Sequence, residues 1–235
     1  MNTHKLSQRL ETVVKYIPEG SRIADIGSDH AYLPCHVVGK GLVPFAIAGE
    51  VVEGPYQSAR KQVESEGLTD FVSVRKGDGL AVISEGEVDC ITIAGMGGAL
   101  IASILEQGKE KLKEVKRLIL QPNLSAISIR TWLLNNGWEL MAEDILEEDG
   151  KIYEVLVAEQ GDATRPYREN IHTSLLVGPF LSKEKSQTFM KKWIGERENW
   201  NRIIGNLEKA AATKENELKK KELQEKVQMV EEVIQ

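Results

Sequence analysis

Four acidic residues mark the ends of three apolar runs. Asp25 and Asp29 flank the end of Arg22–Gly27, Glu50 closes Phe45–Glu50, and Asp78 stands between Gly77 and Gly79 at the end of Val72–Asp78. The loop after the first run reads Asp25-Ile26-Gly27-Ser28-Asp29-His30-Ala31-Tyr32. A dinucleotide fingerprint needs three glycines here, so that a pyrophosphate can rest on a helix N-terminus. This loop has one glycine, and its acids repel a diphosphate. A ligand with an ammonium and a sulfonium and no phosphate suits carboxylates by its charge, and S-adenosylmethionine is such a ligand. Glu50 follows Gly27 by 23 residues and stands where a strand-tip acid bonds ribose hydroxyls in sheets of this type. Asp78, between two glycines, can reach an adenine amino group while the backbone comes close. The expected cofactor is therefore S-adenosylmethionine, with Asp25, Gly27, Ser28, Asp29, His30, Glu50, Gly77, Asp78 and Gly79 as its candidate binding residues.

The fourth and fifth runs bear on what is modified. Asp89–Ala94 leads into Gly95-Met96-Gly97-Gly98, read as a turn whose small residues leave room for a flat ring; Gly95 and Met96 join the cofactor set. The Asp/Asn-Pro-Pro-Tyr/Phe sequence of many amino-directed enzymes is missing. No cysteine follows the fourth run, and Cys35 and Cys90 are read as core residues. Arg117–Gln121 passes into Pro122-Asn123, a strand-ending turn with neutral amides able to meet a base edge.

The elements that would carry these residues alternate. A helix is expected over residues 4–17, with Leu6, Leu10, Val13, Val14 and Ile17 on one stripe. Helices are expected over Tyr32–Gly39 and Pro55–Glu66, after the Gly95–Gly98 turn through Gln107, and over Ser125–Asn136 with Ser125 as its cap. Trp138–Glu147 and Ile152–Glu159 flank Glu148-Asp149-Gly150 as a hairpin. The reading is an α/β, Rossmann-like fold with a mostly parallel seven-stranded sheet, whose ligands bind at the carboxyl ends of the strands. Residues 1–165 form this domain. Residues 166–235 form a helical appendage of two long helices with a break near Ala212–Asn216, as a hairpin or short coiled coil.

The chain has 235 residues, 41% hydrophobic and 28% charged, with a net charge of −6. Residues 1–165 carry 17 Lys and Arg against 25 Asp and Glu, whereas Lys183–Lys221 carries 11 against 6. The appendage can thus meet phosphates although the whole is acidic. Two cysteines are too few for a disulfide or four-cysteine zinc scaffold, and no metal is expected. A polar N-terminus and the lack of a long apolar run imply a cytoplasmic protein with no membrane partner.

As a set, D-I-G-S-D-H-A-Y-L-P at 25–34, G-D-G at 77–79, A-G-M-G-G at 94–98 and L-Q-P-N at 120–123 resemble the bacterial TrmK family. The resemblance implies a class I methyltransferase fold and a tRNA (adenine-N1)-methyltransferase acting on adenine 22. It implies tRNA as partner, the appendage as a tRNA grip, and a monomer is expected. Adenine N1 has an in-plane lone pair and needs no covalent enzyme intermediate. Asp29 is then the candidate for stabilising charge on the ring, with Asn123 and the Gly95–Gly98 backbone positioning it. Trp193 and Trp200 are expected in the helical seam rather than stacked on bases. The alternatives are a methyltransferase of a small molecule or protein, and a non-catalytic cofactor-binding protein.

Overall fold

The structure, a computed structural model, describes residues 3, 5–210 and 213–235. Its strands are β1 (Arg22–Ile26), β2 (Phe45–Glu50), β3 (Val72–Lys76), β4 (Cys90–Gly97), β5 (Arg117–Leu124), β6 (Trp138–Glu148) and β7 (Lys151–Gln160). They form one sheet in the order β3-β2-β1-β4-β5-β7-β6. Strands β1 to β5 pair in parallel, and β7 runs antiparallel between β5 and β6. Ile23, Ile47, Ile91, Ile93, Leu118 and Ile119 are fully buried, as expected of strands covered on both faces. The order reverses between β1 and β4, which opens a crevice at their carboxyl ends.

Helices α1 (Gln8–Lys15), α2 (Tyr32–Gly39), α3 (Glu53–Ser65), α4 (Gly98–Gln107) and α5 (Ala126–Asn135) complete the first compact unit, Met1–Pro166. The second unit, Tyr167–Gln235, contains α6 (Ile171–Val177), α7 (Leu181–Glu184), α8 (Gln187–Lys209) and α9 (Lys214–Ile234). The long helices α8 and α9 pack against each other. Trp193 is buried, its ring centre 6.3 Å from that of Phe189 and 6.2 Å from that of Trp200. Trp193 therefore belongs to the helical packing, and the half-buried Trp200 lies beside it on the same helix. No described helix is long and apolar enough to cross a membrane.

Several expectations need correction. The first helix starts only at Gln8, after the cap Ser7, whose side chain accepts from Leu10 N; residue 4 lies outside the described residues. Gly95-Met96-Gly97 and Pro122-Asn123 are not turns. Strands β4 and β5 continue through them, with register shifts at Ala94/Met96 and Met96/Gly97 that absorb the glycines and the proline. Ser125 stands at the N-cap position of α5, but with φ 58° and no side-chain bond to the helix backbone; its hydroxyl meets Ser128 Oγ at 2.9 Å. Helices α6 and α7 were not foreseen. Of the expected break at 212–216, residue 212 lies outside the described residues, and the helix resumes at Lys214.

A buried ion cluster ties α5 to the β6–β7 hairpin. The fully buried Arg130 donates from Nε to Glu143 at 2.7 Å and from Nη2 to Glu154 at 2.6 Å. The hairpin turn places Asp149 and Gly150 at φ 51° and 73°, the left-handed pair that a two-residue turn requires.

Candidate active site

A cavity of about 350 Å³ opens at the carboxyl ends of β1 and β4, a volume within the small-ligand range. Asp25, Gly27, Ser28, Asp29, Glu50, Gly95 and Met96, all foreseen from sequence, line it. Its floor is the end of β1. Thr92 on the neighbouring strand donates to Asp25 Oδ1 at 2.6 Å, and Ser28 donates to Oδ2 at 2.7 Å. Asp25 is only 4% exposed. Burial raises its pKa; the two hydroxyl bonds and the more distant charge of Arg9 pull it back.

Gly27 follows at φ 71°, and its N–H and that of Ser28 both donate to Gly49 O, at 2.9 and 3.2 Å. A Cβ on Gly27 would fall 2.1 Å from Met96 Cε. The thioether methyl thus lies directly on the glycine, and a side chain there would displace the end of Met96 and strain the backbone angle. The chain then makes an unusual bend. Asp29, His30 and Ala31 are all left-handed, with φ of 39°, 63° and 54°. Three successive non-glycine residues in that region represent stored strain, of the kind found at functional sites.

The bend turns the Asp29 N–H onto Glu50 Oε1 at 2.5 Å. Glu50, at the tip of β2, is buried. Burial raises its pKa, the Asp29 N–H opposes that, and the charges of Asp29 and Asp25 reinforce it. The Asp29 side chain itself is exposed, with His30 Nε2 3.6 Å from Oδ1. The His30 ring stacks on Tyr32, their centres 5.3 Å apart.

Gly77, Asp78, Gly79, His30 and Asn123 do not line the cavity. Gly77 N–H donates to Glu50 O at 2.9 Å, which places the Gly77-Asp78-Gly79 corner one strand over from Glu50; Asp78 is exposed. Asn123 is exposed and donates from Nδ2 to Gly95 O at 2.7 Å. Gln121 is not available to a base edge. It is fully buried, donates to Pro122 O at 2.8 Å and accepts the Gly95 N–H at 2.9 Å. Gly95, at φ 80°, is therefore held from both sides by neighbouring amides. Cys35 and Cys90 are buried with thiols pushed up to about 12, which makes them poor nucleophiles.

Sequence reasoning missed Arg9. It reaches the cavity from α1, donates to Gln121 Oε1 and lies 5.5 Å from the centre of the Tyr153 ring. The available signal was its position beside Leu10 and Val13 on the stripe of the first helix. Among the described residues, no group of three or more His, Cys, Asp or Glu could hold a metal ion.

The site residues fit S-adenosylmethionine on three counts: two buried carboxylates for a cationic ligand, a left-handed glycine at the floor that brings the backbone close, and no phosphate-binding glycine triplet. Comparison with known proteins agrees. The TrmK family model, described as tRNA (adenine(22)-N(1))-methyltransferase, matches residues 23–232. The tRNA (adenine(22)-N(1))-methyltransferase of Bacillus subtilis (strain 168) is 54% identical over 235 residues, which is 100% of this chain and 99% of that protein. The crystal structure of the B. subtilis M1A22 tRNA methyltransferase TrmK superposes with a TM-score of 0.95 at 53% identity, covering 99% of this chain and 100% of that one. The Streptococcus pneumoniae Sp1610 structure, a tRNA (m1A22) methyltransferase homologue in complex with S-adenosyl-L-methionine, gives 0.87 at 45% identity, covering 98% and 100%.

Proposed function

The chain belongs to the TrmK family of tRNA (adenine(22)-N(1))-methyltransferases, and we propose that it seats its cofactor on Asp25, Gly27–His30 and Glu50 and its target adenine against Gly95–Gly98 and Asn123. It is an S-adenosylmethionine-dependent enzyme that methylates N1 of adenine 22 in tRNA. The observation that carries the assignment of residues is the cavity floor, where Gly27 lies under Met96 between two buried carboxylates.

When bound, S-adenosylmethionine supplies a methyl group on a positively charged sulfur. The chain orients the two partners. Glu50, held by the Asp29 N–H, is set to receive ribose hydroxyls. We assign the adenine amino group to Asp78, which lies one strand over from Glu50 and outside the cavity lining. Asp25 and Ser28 place negative charge and a hydroxyl beneath the amino-acid end. Adenine N1 is neutral near pH 7 and attacks directly, so orientation and electrostatics supply the rate. The methylated ring is cationic, and the exposed Asp29 carboxylate is the group we assign to stabilise it. Asn123, fixed on Gly95 O, shapes the rim against which the ring lies.

N1 lies on the Watson–Crick edge, so the target must be unpaired or turned out of its stack. We assign residues 166–235 the grip on the RNA, through phosphates and the basic stretch Lys183–Lys221. The reading is of a cytoplasmic monomer whose substrate is tRNA.

The test is methyl transfer from labelled cofactor to unmodified tRNA, with the product base mapped by mass spectrometry. Modification at adenine 22 is expected. Asp29→Asn should lower turnover at saturating cofactor by about 10- to 100-fold, the loss of one charge-assisted interaction, beyond any change in cofactor affinity. Wild-type turnover in that variant would remove Asp29 from the mechanism.

A further inference from the structure

Arg9 is the only cation among the described residues that line the cavity, and the reading above gives it no task. Its placement is built rather than incidental. The start of α1 is fixed by Glu148, which accepts Gln8 N–H at 2.7 Å and Arg9 N–H at 3.3 Å. Gln121 sets the direction of the guanidinium. Its Nε2 is committed to Pro122 O, so its Oε1 must face Arg9 Nη1 and the Gly95 N–H. The Tyr153 ring lies beneath the guanidinium, and a side chain on Gly95 would come within 3.4 Å of Nη1.

A guanidinium has five N–H donors. Among the described residues only Nη1 has a protein acceptor, Gln121, and no carboxylate lies within ion-pair distance of Arg9. Asp25 is near enough to feel its charge, but both Asp25 oxygens are taken by Thr92 and Ser28. The remaining acids at the cavity, Asp29 and Glu50, would repel an anion. A ligand ending in an amino acid brings an ammonium, which the acids suit, and a carboxylate, which they do not. Arg9 is the group that can take the carboxylate, by the paired geometry in which guanidinium meets carboxylate.

We propose that Arg9 binds the α-carboxylate of the amino-acid end of S-adenosylmethionine, with Gln121 and Tyr153 holding the guanidinium in place. This rests on the reading of the cavity as the cofactor seat.

The test is calorimetric binding to the full chain of two ligands that differ only in that carboxylate: S-adenosylmethionine and its decarboxylated form. Arg9→Gln should weaken S-adenosylmethionine by about 10- to 100-fold, the range for a charge-assisted hydrogen-bonded pair. It should leave the decarboxylated ligand as in the wild type. Arg9→Lys keeps the charge without the fork, so it should fall between for S-adenosylmethionine and again leave the other ligand unchanged. Equal weakening of both ligands, or of neither, overturns the assignment. So does a loss confined to the tRNA KM, which would give Arg9 to the RNA. Failure of the wild type to bind either ligand would instead overturn the reading of the cavity, and this proposal with it.

Discussion

Gly27→Ala probes the cavity floor from two directions at once. The residue sits at φ 71°, and its added methyl would meet Met96 Cε at 2.1 Å. Holding an alanine in the left-handed region costs about 1–2 kcal/mol. The smaller conformational freedom of the unfolded alanine chain returns about 0.4–1 kcal/mol. The contact is with the end of a flexible side chain, so Met96 must leave its rotamer, at about 0.5–1.5 kcal/mol. The net loss is about 0.5–3 kcal/mol, which for a unit of this size lowers Tm by roughly 1–12 °C. Met96→Ala in the same chain removes the clash and leaves the backbone strain. The double variant should therefore be more stable than the sum of the singles by about 0.5–1.5 kcal/mol. S-adenosylhomocysteine binding should follow: weakened in Gly27→Ala, partly restored in the double variant. Thermal unfolding and calorimetry on the four proteins close the cycle. Strict additivity in both measurements would refute the contact, and wild-type affinity in Gly27→Ala would refute the floor as the cofactor seat.

Two further outcomes follow from buried charge. Arg130→Met takes the guanidinium from between the buried Glu143 and Glu154, and urea unfolding should show a loss of about 3–5 kcal/mol; replacing all three by apolar residues of similar volume should recover most of it. Glu50 has a raised pKa in the folded chain because it is buried. Its effect on cofactor-free stability is therefore most favourable below its ordinary value of 4.5 and is lost as pH rises through the folded value. Glu50→Gln, which does not titrate, should gain stability relative to the wild type as pH rises through that window. Cofactor affinity should move the other way, since a cationic ligand prefers the ionised carboxylate, and urea titrations with binding measured at the same pH values compare the two.

How far the sequence could be read depended on whether the deciding contact was local. Tyr32–Gly39 and Phe45–Glu50 have the same bounds in sequence and structure, because glycine and proline mark their ends within a few residues. The acids at the ends of the first two strands were legible for the same reason: in a parallel sheet, the position after each apolar run is the ligand-binding edge. Reading failed where a distant strand overruled local chemistry. Gly95-Met96-Gly97 and Pro122-Asn123 look like turns, yet each supports the other as a bulged strand pair, with Met96 opposite Pro122 and Gly97 opposite Leu124. Gly98 makes this possible, since a Cβ there would fall 2.1 Å from Ser125 O. The left-handed run Asp29-His30-Ala31 was equally hidden. Aspartate and histidine tolerate that region, but alanine does not signal it. The bend is imposed by Glu50, 21 positions beyond the N–H it captures at Asp29. Arg9 is the extreme case: its partner Gln121 lies 112 residues away, and helical periodicity could say only that it borders the apolar stripe. The residues assigned to the cofactor's ring end were thus readable from strand ends, whereas the residue proposed for its carboxylate end required the fold.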